Sequence, residues 1–404
     1  MRGGSPRPIK EYITTREDGI NWIKIGDVEK GGKYIYSTHE KIIPEGESKS
    51  RRVYPGDFLL TNSMSFGRPY ISQIEGCIHD GWLLIHGLGG FDPDYLYYLL
   101  SSAYMYGQFT EKASGSTVDN LNIDKVKAAI IPLPPLAEQK RIVEKIEQAF
   151  SVLDTIDALQ AQYADNCTTL QRKLIDLAIR GKLTEQLPED GTAQVLYQQI
   201  QEEKQDLIQS GKIKKEKPLP EIAEDEIPFD IPENWKWVRL RDLGAFNGGK
   251  TPSMAVKEYW NNGSIPWVTS KDMKRKYVYS SEMMITELGA QEMAVFPENT
   301  VLFVVRSGIL RRLLPVAILK TKGTINQDLK AISLFIPTMC EYAYYILKGF
   351  ESKILFQYAK DGTTVNNIVF DALVEMPIPL PPLAEQKRIV DRLDKLLAVC
   401  DEMR

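Results

Sequence analysis

The chain has 404 residues and carries 50 Lys and Arg against 54 Asp and Glu, giving a formal net charge of −4. This balance excludes a uniformly basic surface, so any binding of nucleic acid must come from local basic patches. A hydrophobic content of 43% is sufficient for two or three domains with real cores.

The four cysteines show no CxxC spacing, and the chain has only three histidines. This pattern argues against a structural zinc site, and we expect no bound metal. Scattered cysteines suit a reducing compartment. The sequence contains no signal peptide and no apolar run of about 18 residues, so it predicts a cytoplasmic protein without a membrane span.

Short β-type runs separated by Gly, Pro and Asn turn signals occupy two variable regions of the chain. The runs are Asn21–Val28, Asp57–Thr61, Tyr70–Ile74, Trp82–His86, Thr300–Val305, Val316–Leu319 and Leu329–Leu334. Each region closes with a predicted helix, Pro93–Glu111 in the first and Met339–Tyr358 in the second. Both regions are therefore predicted to be α+β modules.

A small polar motif follows each of those helices, GSTVDN at Gly115–Asn120 and GTTVNN at Gly362–Asn367. Their hydroxyl-bearing residues are Ser116, Thr117, Thr363 and Thr364. Such hydroxyls can cap a following helix, and the glycine permits a tight entry. They can also contact phosphate, and the two interpretations are compatible.

A long helix is predicted after Pro134 and Pro135, because proline can begin a helix but not continue one. The heptad a/d positions are Gln139, Ile142, Ile146, Ala149, Leu153, Ile156, Gln160, Tyr163, Cys167, Leu170, Leu174 and Leu177. This mostly apolar stripe predicts a coiled coil that stops at Gly181. The alternative is a long core helix inside one domain.

A second helix is predicted at Thr192–Gln209 and a charged linker at Gly211–Pro228. The apolar face of that helix is formed by Val195, Leu196, Ile200 and Leu207.

The pattern GAFNGGKT at Gly244–Thr251 satisfies the P-loop expression, which requires a buried strand before it and a helix after it. Here the preceding segment is charged and Pro252 follows directly, so a glycine turn is the better interpretation. The similar GGSP at Gly3–Pro6 lacks the Lys-Thr pair and supports it. The sequence also lacks a dinucleotide or S-adenosylmethionine glycine loop and an HExxH motif, which favours a binding protein over a catalyst.

The chain contains a duplication with a constant offset of 247 residues. The segment IPLPPLAEQKRIV begins at residue 131 and again at residue 378, and the polar motifs begin at residues 115 and 362. Scattered anchors agree between the copies: Trp22 with Trp267, Asp27 with Asp272, Pro69 with Pro315, and Ile78 with Ile325. The pattern predicts two tandem units of one fold whose variable parts bind different things.

The second copy restarts the heptads with Ile389, Leu393 and Leu396 and stops at Arg404, while the first copy begins almost directly at Gly3. We therefore expect the duplicated unit to be shortened at both ends of this chain.

On these motifs the whole chain resembles a specificity subunit of a bacterial type I restriction–modification system. The duplicated PLPPLAEQKRIV is the most specific signal, together with LIDLAIRGKLTEQ at Leu174–Gln186 and EIPFDIPENWKWVRLRDLG at Glu226–Gly244. The resemblance implies two target-recognition domains of mixed β-sheet and helices, separated by long coiled-coil helices in a pseudo-twofold internal repeat. It also implies the division 1–130, 131–226, 227–377 and 378–404, in which the recognition domains are the first and third segments.

The same resemblance implies that each recognition domain reads one half of a bipartite site on double-stranded DNA. The helices would set the spacer and dock two methyltransferase subunits, and restriction subunits would join the assembly. S-adenosylmethionine would bind in the methyltransferase partners, so this chain would have no catalytic residue of its own.

Candidate DNA-reading residues are those that can reach base edges, with Arg suited to guanine and Asn or Gln suited to adenine. In the first unit they are Lys24, Asn62, Ser63 and Arg68, and in the second unit Thr269, Ser270, Lys271, Arg306, Ser307, Arg311, Arg312, Asn326 and Gln327. The competing hypotheses are a coiled-coil scaffold that binds protein and a P-loop enzyme that depends on Lys250 and Thr251 alone.

Overall fold

The computed structural model describes residues 1–29, 31–62, 67–86, 89–111, 121–215, 220–360, 362 and 365–403. The chain divides into two compact units, Met1–Leu159 (unit 1) and Gln160–Arg404 (unit 2). Each unit combines β-sheets with helices, in agreement with the predicted α+β modules. Within the described residues, no helix combines the length and apolarity needed to cross a membrane.

Unit 1 is built from two sheets. Its strands are β1 (Ile13–Thr14), β2 (Ile20–Ile23), β3 (Tyr34–Ile35), β4 (Glu40–Ile42), β5 (Arg51–Val53), β6 (Phe58–Thr61), β7 (Pro69–Ser72), β8 (Gly76–Ile78) and β9 (Trp82–Ile85). Its helices are α1 (Pro93–Ser101), α2 (Ala103–Glu111), α3 (Ile123–Lys127) and the first part of α4 (Leu136–Ile179). One sheet has the order β3-β7-β6-β9 and the other β1-β4-β2-β8-β5. Both contribute to one apolar cluster around Trp82, which is why strands such as β6 are buried along their whole length.

Unit 2 contains four sheets within its described residues. Its strands are β10 (Lys236–Arg239), β11 (Gly244–Gly248), β12 (Ile265–Val268), β13 (Tyr277–Val278), β14 (Met284–Ile285), β15 (Thr300–Val304), β16 (Arg306–Ser307), β17 (Val316–Leu319), β18 (Thr324–Ile325), β19 (Leu329–Leu334), β20 (Ala359–Lys360), β21 (Asn366–Ile368) and β22 (Pro377–Leu380). Its helices are the remainder of α4, α5 (Ala193–Gln209), α6 (Glu287–Ala290), α7 (Cys340–Gly349), α8 (Glu351–Lys353), α9 (Phe370–Leu373) and α10 (Leu383–Glu402). The sheet orders are β11-β19-β15-β17-β13, β14-β12-β18, β16-β21-β20 and β10-β22.

The two units repeat the same strand pairing. In unit 1, β2 pairs in parallel with β8 and antiparallel with β4, and in unit 2, β12 pairs in parallel with β18 and antiparallel with β14. Trp22 and Trp267 hold the same position in these registers, and so do Ile78 and Ile325. The anchors matched in the sequence are therefore equivalent positions of one frame.

A half-buried lysine, surrounded by tyrosine rings and an aspartate, fixes the first helix of unit 1 to its sheet in what we call a lysine cage. The Lys33 ammonium pairs with Asp94 and lies 5.2–5.3 Å from the ring centroids of Tyr34, Tyr97 and Tyr98. Burial alone would lower the pKa of Lys33, but its hydrogen bond to Asp94 and the nearby negative charge raise it. The charged lysine is thus held by groups that favour its charged form.

Unit 2 contains the same cage around Lys276. Its ammonium lies 2.8 Å from Glu341 and 2.8 Å from Asp394. The surrounding rings are Tyr277, Tyr344 and Tyr345, at 4.6–5.6 Å from the ammonium. The tyrosine pairs Tyr97-Tyr98 and Tyr344-Tyr345, which stand 247 residues apart in the sequence, therefore belong to a duplicated structural anchor. Lys276 is half-buried, although it ends the basic run KDMKRK that begins at Lys271.

Helix α4 is continuous over 44 residues, and it ends before Gly181, whose φ of +68° closes the C-terminus as predicted. Five of its a/d residues are 38–53% exposed; they are Leu153, Ile156, Tyr163, Leu170 and Leu177. The a/d residues Ile142, Ile146 and Leu174 are half-buried, and Cys167 is buried. In α10, Ile389 and Leu393 are fully buried in the unit 2 core and Leu396 is half-buried.

Gln139 is the first predicted a/d position, but it fixes the start of α4. Its Nε2 donates to the carbonyls of Gly90 and Pro134 at 2.9 Å, and its Oε1 accepts the Asp92 N–H at 2.7 Å. The equivalent Gln386 repeats only the proline contact, donating to Pro381 at 2.9 Å. The buried Oε1 of Gln386 has no hydrogen-bond partner among the described residues.

Three details of the predicted helices are wrong. The region predicted as one helix from Pro93 to Glu111 is two helices, because Ser102 adopts an extended conformation with ψ of 153°. The helix predicted over Met339–Tyr358 ends at Gly349, and the following residues form a short turn and a π-helical segment. In α5, Val195 is exposed while Leu196 and Ile200 are buried, so Val195 is not on the core face.

A buried arginine organises the end of the predicted linker. Arg239 is 5% exposed, and its guanidinium hydrogen-bonds Glu226 at 2.6 and 2.9 Å and the Glu375 carbonyl at 2.7 Å. The hydrogen bonds from Arg239, followed by that from the Ala223 N–H, lower the pKa of Glu226 to about 2. The segment before β10 is therefore tied to unit 2 by charge.

Candidate DNA interface

Equivalent turns follow the parallel-paired strands of the two units. In unit 1, Asp27 accepts the Lys24 N–H at 2.7 Å and the His39 N–H at 3.1 Å. In unit 2, Asp272 accepts the Thr269 N–H at 2.8 Å and the Glu282 N–H at 2.8 Å. Each aspartate thus fixes one turn, which we call a locked turn. It also connects that turn to the loop before β4 in unit 1 or before β14 in unit 2.

The two locked turns present different side chains. The Lys24 ammonium lies 2.9 Å from Glu40, so its charge is paired. The Thr269 hydroxyl donates to Asp272 at 2.9 Å, Ser270 is half-buried, and Lys271 is exposed. Of the candidates on these turns, Lys271 is the one whose charge has no ionic partner among the described residues.

An exposed tyrosine packs against the caged tyrosine in each unit, Tyr36 against Tyr34 in unit 1 and Tyr279 against Tyr277 in unit 2. They are 70% and 67% exposed, and each directly follows the short strand that carries the caged tyrosine. Sequence reasoning missed both, although the paired triplets YIY and YVY could have indicated them.

The unit 1 candidates near β6 divide between the interior and the surface. Asn62 is 3% exposed, and its amide donates to the Asp80 carbonyl at 2.7 Å, so its donor group holds a turn. Arg68 is exposed beside Tyr70. Burial raises the pKa of the Tyr70 hydroxyl above its ordinary value, and Arg68 offsets part of that rise. Ser63 lies outside the described residues.

In unit 2, Arg306 and Ser307 form β16 at the edge of a three-stranded antiparallel sheet. Arg306 lies opposite Asn367 of β21, and Asn367 lies opposite Lys360 of β20. All three residues are exposed. The Ser307 hydroxyl accepts the Ile309 N–H at 3.3 Å and caps the following turn. Asn367 and Lys360 were missed by the sequence analysis, although Asn367 belongs to the repeated motif.

The polar motif of unit 2 is attached to a turn that carries two arginines. Arg311 reaches the Asn366 side-chain oxygen and the Gly362 carbonyl, both at 3.4 Å, and Arg312 is exposed. The motif hydroxyls Ser116, Thr117, Thr363 and Thr364 lie outside the described residues.

The motif ends at an equivalent place in each unit. The Leu121 N–H donates to the backbone carbonyl of Asn62 in unit 1, and the Ile368 N–H donates to the backbone carbonyl of Val305 in unit 2. Asn62 and Val305 are thus equivalent, and each directly precedes a candidate, Ser63 or Arg306.

Two further candidates hold the loop that follows β18. Asn326 is 8% exposed and exchanges hydrogen bonds with Asp328, so its amide supports a turn. Gln327 is exposed, and its side-chain oxygen accepts the hydroxyl of Thr251. These contacts explain both side chains without DNA.

The P-loop pattern does not form a phosphate loop. Its first five residues are β11, which pairs antiparallel with β19, and no helix begins directly after Lys250. The Lys250 ammonium donates to the Glu292 carbonyl at 3.2 Å. The described residues also contain no group of three or more His, Cys, Asp or Glu side chains placed to hold a metal ion.

Comparison with known proteins gives a consistent family. The family described as the type I restriction modification DNA specificity domain matches residues 4–162 and 232–403. The EcoR124I/EcoR124II specificity subunit of Escherichia coli is 41% identical over 162 residues, covering 40% of this chain and 40% of that protein. The MjaIX specificity subunit of Methanocaldococcus jannaschii is 37% identical over 167 residues, covering 39% of this chain and 37% of the relative.

The alignments thus span less than half of these curated relatives. The EcoAI specificity subunit of Escherichia coli is 28% identical over 320 residues, covering 76% of this chain and 49% of the relative.

Two solved structures share the fold. One, from work on complex assembly and conformational transition of the type I R-M system, has a TM-score of 0.63 at 20% identity and covers 100% of this chain and 88% of its own. The HsdS subunit from Thermoanaerobacter tengcongensis has a TM-score of 0.56 at 19% identity, with the same coverage.

Proposed function

The chain belongs to the type I restriction modification DNA specificity family, and from this premise we propose that it selects the DNA sequence on which a type I restriction–modification complex acts. Each unit would read one half of a bipartite site on double-stranded DNA. The chain would act by binding, without a catalytic residue of its own.

The observation that supports this proposal most is the pair of locked turns. The aspartates Asp27 and Asp272 make the same backbone contacts, yet the turns they hold differ in their residues: unit 2 has the exposed Lys271 where unit 1 has Gly26, which carries no side chain. A constant frame with different polar side chains suits two half-sites of different sequence, because base edges are distinguished by donor and acceptor pattern.

Local positive charge supports DNA as the ligand in spite of the net charge of −4. Exposed cations occur at the candidate positions Arg68, Lys271, Arg306 and Arg312. Exposed arginine and lysine give the salt-dependent attraction to phosphate that positions a protein on a duplex.

We infer that methyl transfer belongs to two methyltransferase subunits that bind S-adenosylmethionine, and that restriction subunits join the assembly. The sequence of this chain has no glycine loop of the kind that holds the cofactor. Exposed apolar residues on α4, among them Leu153, Ile156 and Tyr163, support docking of another protein on that helix.

Helix α4 would also set the spacer between the half-sites. Its 44 residues correspond to a length on the order of 66 Å at about 1.5 Å per residue. That length compares with roughly two turns of DNA at about 34 Å each.

The test is sequencing of DNA methylation in a host that expresses this chain with its neighbouring methyltransferase subunit, compared with a host that lacks only this chain. A new bipartite methylated motif that requires the chain is the expected result. A soluble, assembled complex that methylates no new motif would overturn the proposal and favour a protein-binding scaffold.

A further inference from the structure

The small sheet β16-β21-β20 in unit 2 presents a row of three polar side chains. Residues directly opposite each other in antiparallel strands lie on the same face, with Cβ atoms about 4.5–5.5 Å apart. Arg306 lies opposite Asn367, and Asn367 lies opposite Lys360. The three side chains therefore form one continuous row, with the amide between two cations.

The pleat of β21 determines which face carries the row. Asn366 and Ile368 are 5% and 7% exposed, whereas Asn367 between them is exposed. Because successive side chains alternate between faces, Asn367 points away from the core, and so do the residues opposite it. The register therefore makes this row an outward-facing surface.

The backbone beneath the row is held on several sides. The Ile368 N–H donates to Val305 at 2.8 Å, and the Arg306 N–H donates to Asp328 at 3.2 Å. Directly after β21, the Val369 N–H donates to the carbonyl of Tyr358, the residue before β20, at 2.7 Å. A rigid sheet can hold side chains to the positional accuracy that recognition of individual bases requires.

The side chains of the row are free to bind. Arg306, Asn367 and Lys360 are exposed, and the contacts between described residues include no side-chain hydrogen bond or ion pair for any of them. This differs from Lys24, Asn62 and Asn326, whose side chains are held by neighbours. The donors of the row therefore remain available for a ligand.

The chemistry of the row matches base edges in the major groove. An arginine fork matches guanine O6 and N7, and an asparagine amide matches adenine N6 and N7. Three strands at about 4.8 Å spacing span roughly 10 Å between the outer strands, which compares with a major groove about 12 Å wide. The neutral amide at the centre of the row has little electrostatic attraction to phosphate. This favours contact with DNA bases over contact with the DNA backbone.

We propose that Arg306 and Asn367 read a guanine and an adenine in neighbouring base pairs of the unit 2 half-site, and that Lys360 contacts the flanking phosphate. This assignment rests on the proposed function, and it names the bases that one unit selects. Arg306 was a candidate from the sequence, whereas its two neighbours in the row follow only from strand register.

The experiment uses the full chain assembled with its methyltransferase subunit and maps methylated motifs for the variants Arg306→Lys, Asn367→Ala and Lys360→Ala. Arg306→Lys keeps the charge but removes the fork, so it should relax one base pair of one half-site by roughly 5- to 150-fold. Asn367→Ala should relax the neighbouring base pair to a similar degree. The other half-site and the spacer should stay unchanged.

Lys360→Ala should leave the motif unchanged and weaken binding to all sequences alike, reducing the slope of log affinity against log salt by about 0.9. The matched control is Lys257→Ala, which removes an exposed charge from a turn that packs on α6 of the same unit. This variant should keep both the motif and the slope. Circular dichroism of every variant checks that the exposed substitutions leave the fold intact.

Two results would overturn the assignment while leaving the proposed function in place. One is an unchanged motif in both the Arg306→Lys and Asn367→Ala complexes, and the other is a loss that affects all sequences equally in these variants. If the wild-type complex methylates no chain-dependent motif, the proposed function fails first and the assignment of bases fails with it.

Discussion

Gly3 and Gly249 occupy the same place in their units, next to the strand that pairs in parallel with β2 or β12. A Cβ on Gly3 would lie 2.2 Å from the His79 carbonyl oxygen, and one on Gly249 would lie 2.1 Å from the Ile325 carbonyl oxygen. Both contacts are with backbone, which cannot move aside without disturbing a strand. The glycine run of the false P-loop thus has a steric explanation.

We expect Gly249→Ala to lower the free energy of unfolding by about 1–3 kcal/mol or more, because backbone must shift to make room. Gly248→Ala is the matched control, since its Cβ would meet only the end of the Lys330 side chain. The control should change stability by no more than about 0.5 kcal/mol. Urea unfolding followed by circular dichroism measures both, and equal effects would contradict the steric explanation.

The Arg239–Glu226 pair predicts a pH dependence of stability. The folded pKa of Glu226, about 2, lies below its ordinary value of 4.5, so the pair stabilises the fold above pH 4.5. This contribution is lost as the pH falls through about 2. We expect Glu226→Gln to reduce stability at neutral pH and to show a smaller further loss between pH 5 and pH 3. Parallel urea titrations of wild type and variant that fell equally with pH would contradict this prediction.

Single residues were the hardest part of the interface to predict. Asn62, Asn326 and Asn367 look alike in the sequence as amides near loops, but the first two are buried with their amides hydrogen-bonded and the third is exposed. Their difference arises from strand register and tertiary contacts, which side-chain type does not encode. The contact of DNA by the hydroxyls of the two polar motifs, those of Ser116, Thr117, Thr363 and Thr364, remains a prediction.

At the scale of elements, the long helices and the longer strands were predictable. The heptad period of α4, the prolines before it and the glycine after it are all local sequence signals. The predicted bounds of strands such as β17 and β19 agree with those observed. The two-residue strands β3, β13, β16 and β20 were not predicted, because pairing with a neighbour, rather than local preference, makes them extended.

The helix starts at Gln139 and Gln386 give an internal comparison. Gln139→Leu would leave the Asp92 N–H and the Gly90 and Pro134 carbonyls without a partner, so we expect a loss of about 1–3 kcal/mol or more. Gln386→Leu loses only the hydrogen bond to the Pro381 carbonyl, and it removes the Oε1 atom that has no partner. The free energy of unfolding should therefore change by no more than about 1 kcal/mol. Urea unfolding measures the free energy of unfolding of both variants. A larger loss of stability in Gln386→Leu than in Gln139→Leu would contradict this prediction.

At the scale of the whole molecule, the duplication made two similar units predictable from the sequence. The duplication survives as matched registers, matched cages and matched turns, at offsets between 243 and 247 residues. What a repeat cannot supply is the identity of the exposed side chains that differ between the copies. Those residues decide specificity in the proposed function.

Deletion of one heptad, residues 150–156, tests the proposed role of α4 in spacing. It removes about 10.5 Å of helix while changing the angular phase by only about 20°. We expect the methylated motif to keep both half-sites and to lose about three base pairs of spacer. A variant that replaces the same seven residues with a different heptad of equal length is the control. An unchanged spacer in the deletion variant would rule out the ruler role.

If each unit reads its own half-site, as proposed, a lineage that carries this chain can alter its DNA target one half at a time. Among the residues that hold each frame together, Trp22 and Trp267 are buried and the caged lysines are half-buried, whereas the turns carry exposed side chains. We therefore expect exposed substitutions on the turns of one unit to leave the folding of both units largely unchanged. Under the proposed function, a change of target would then need few substitutions, and one half-site would stay the same while the other changes.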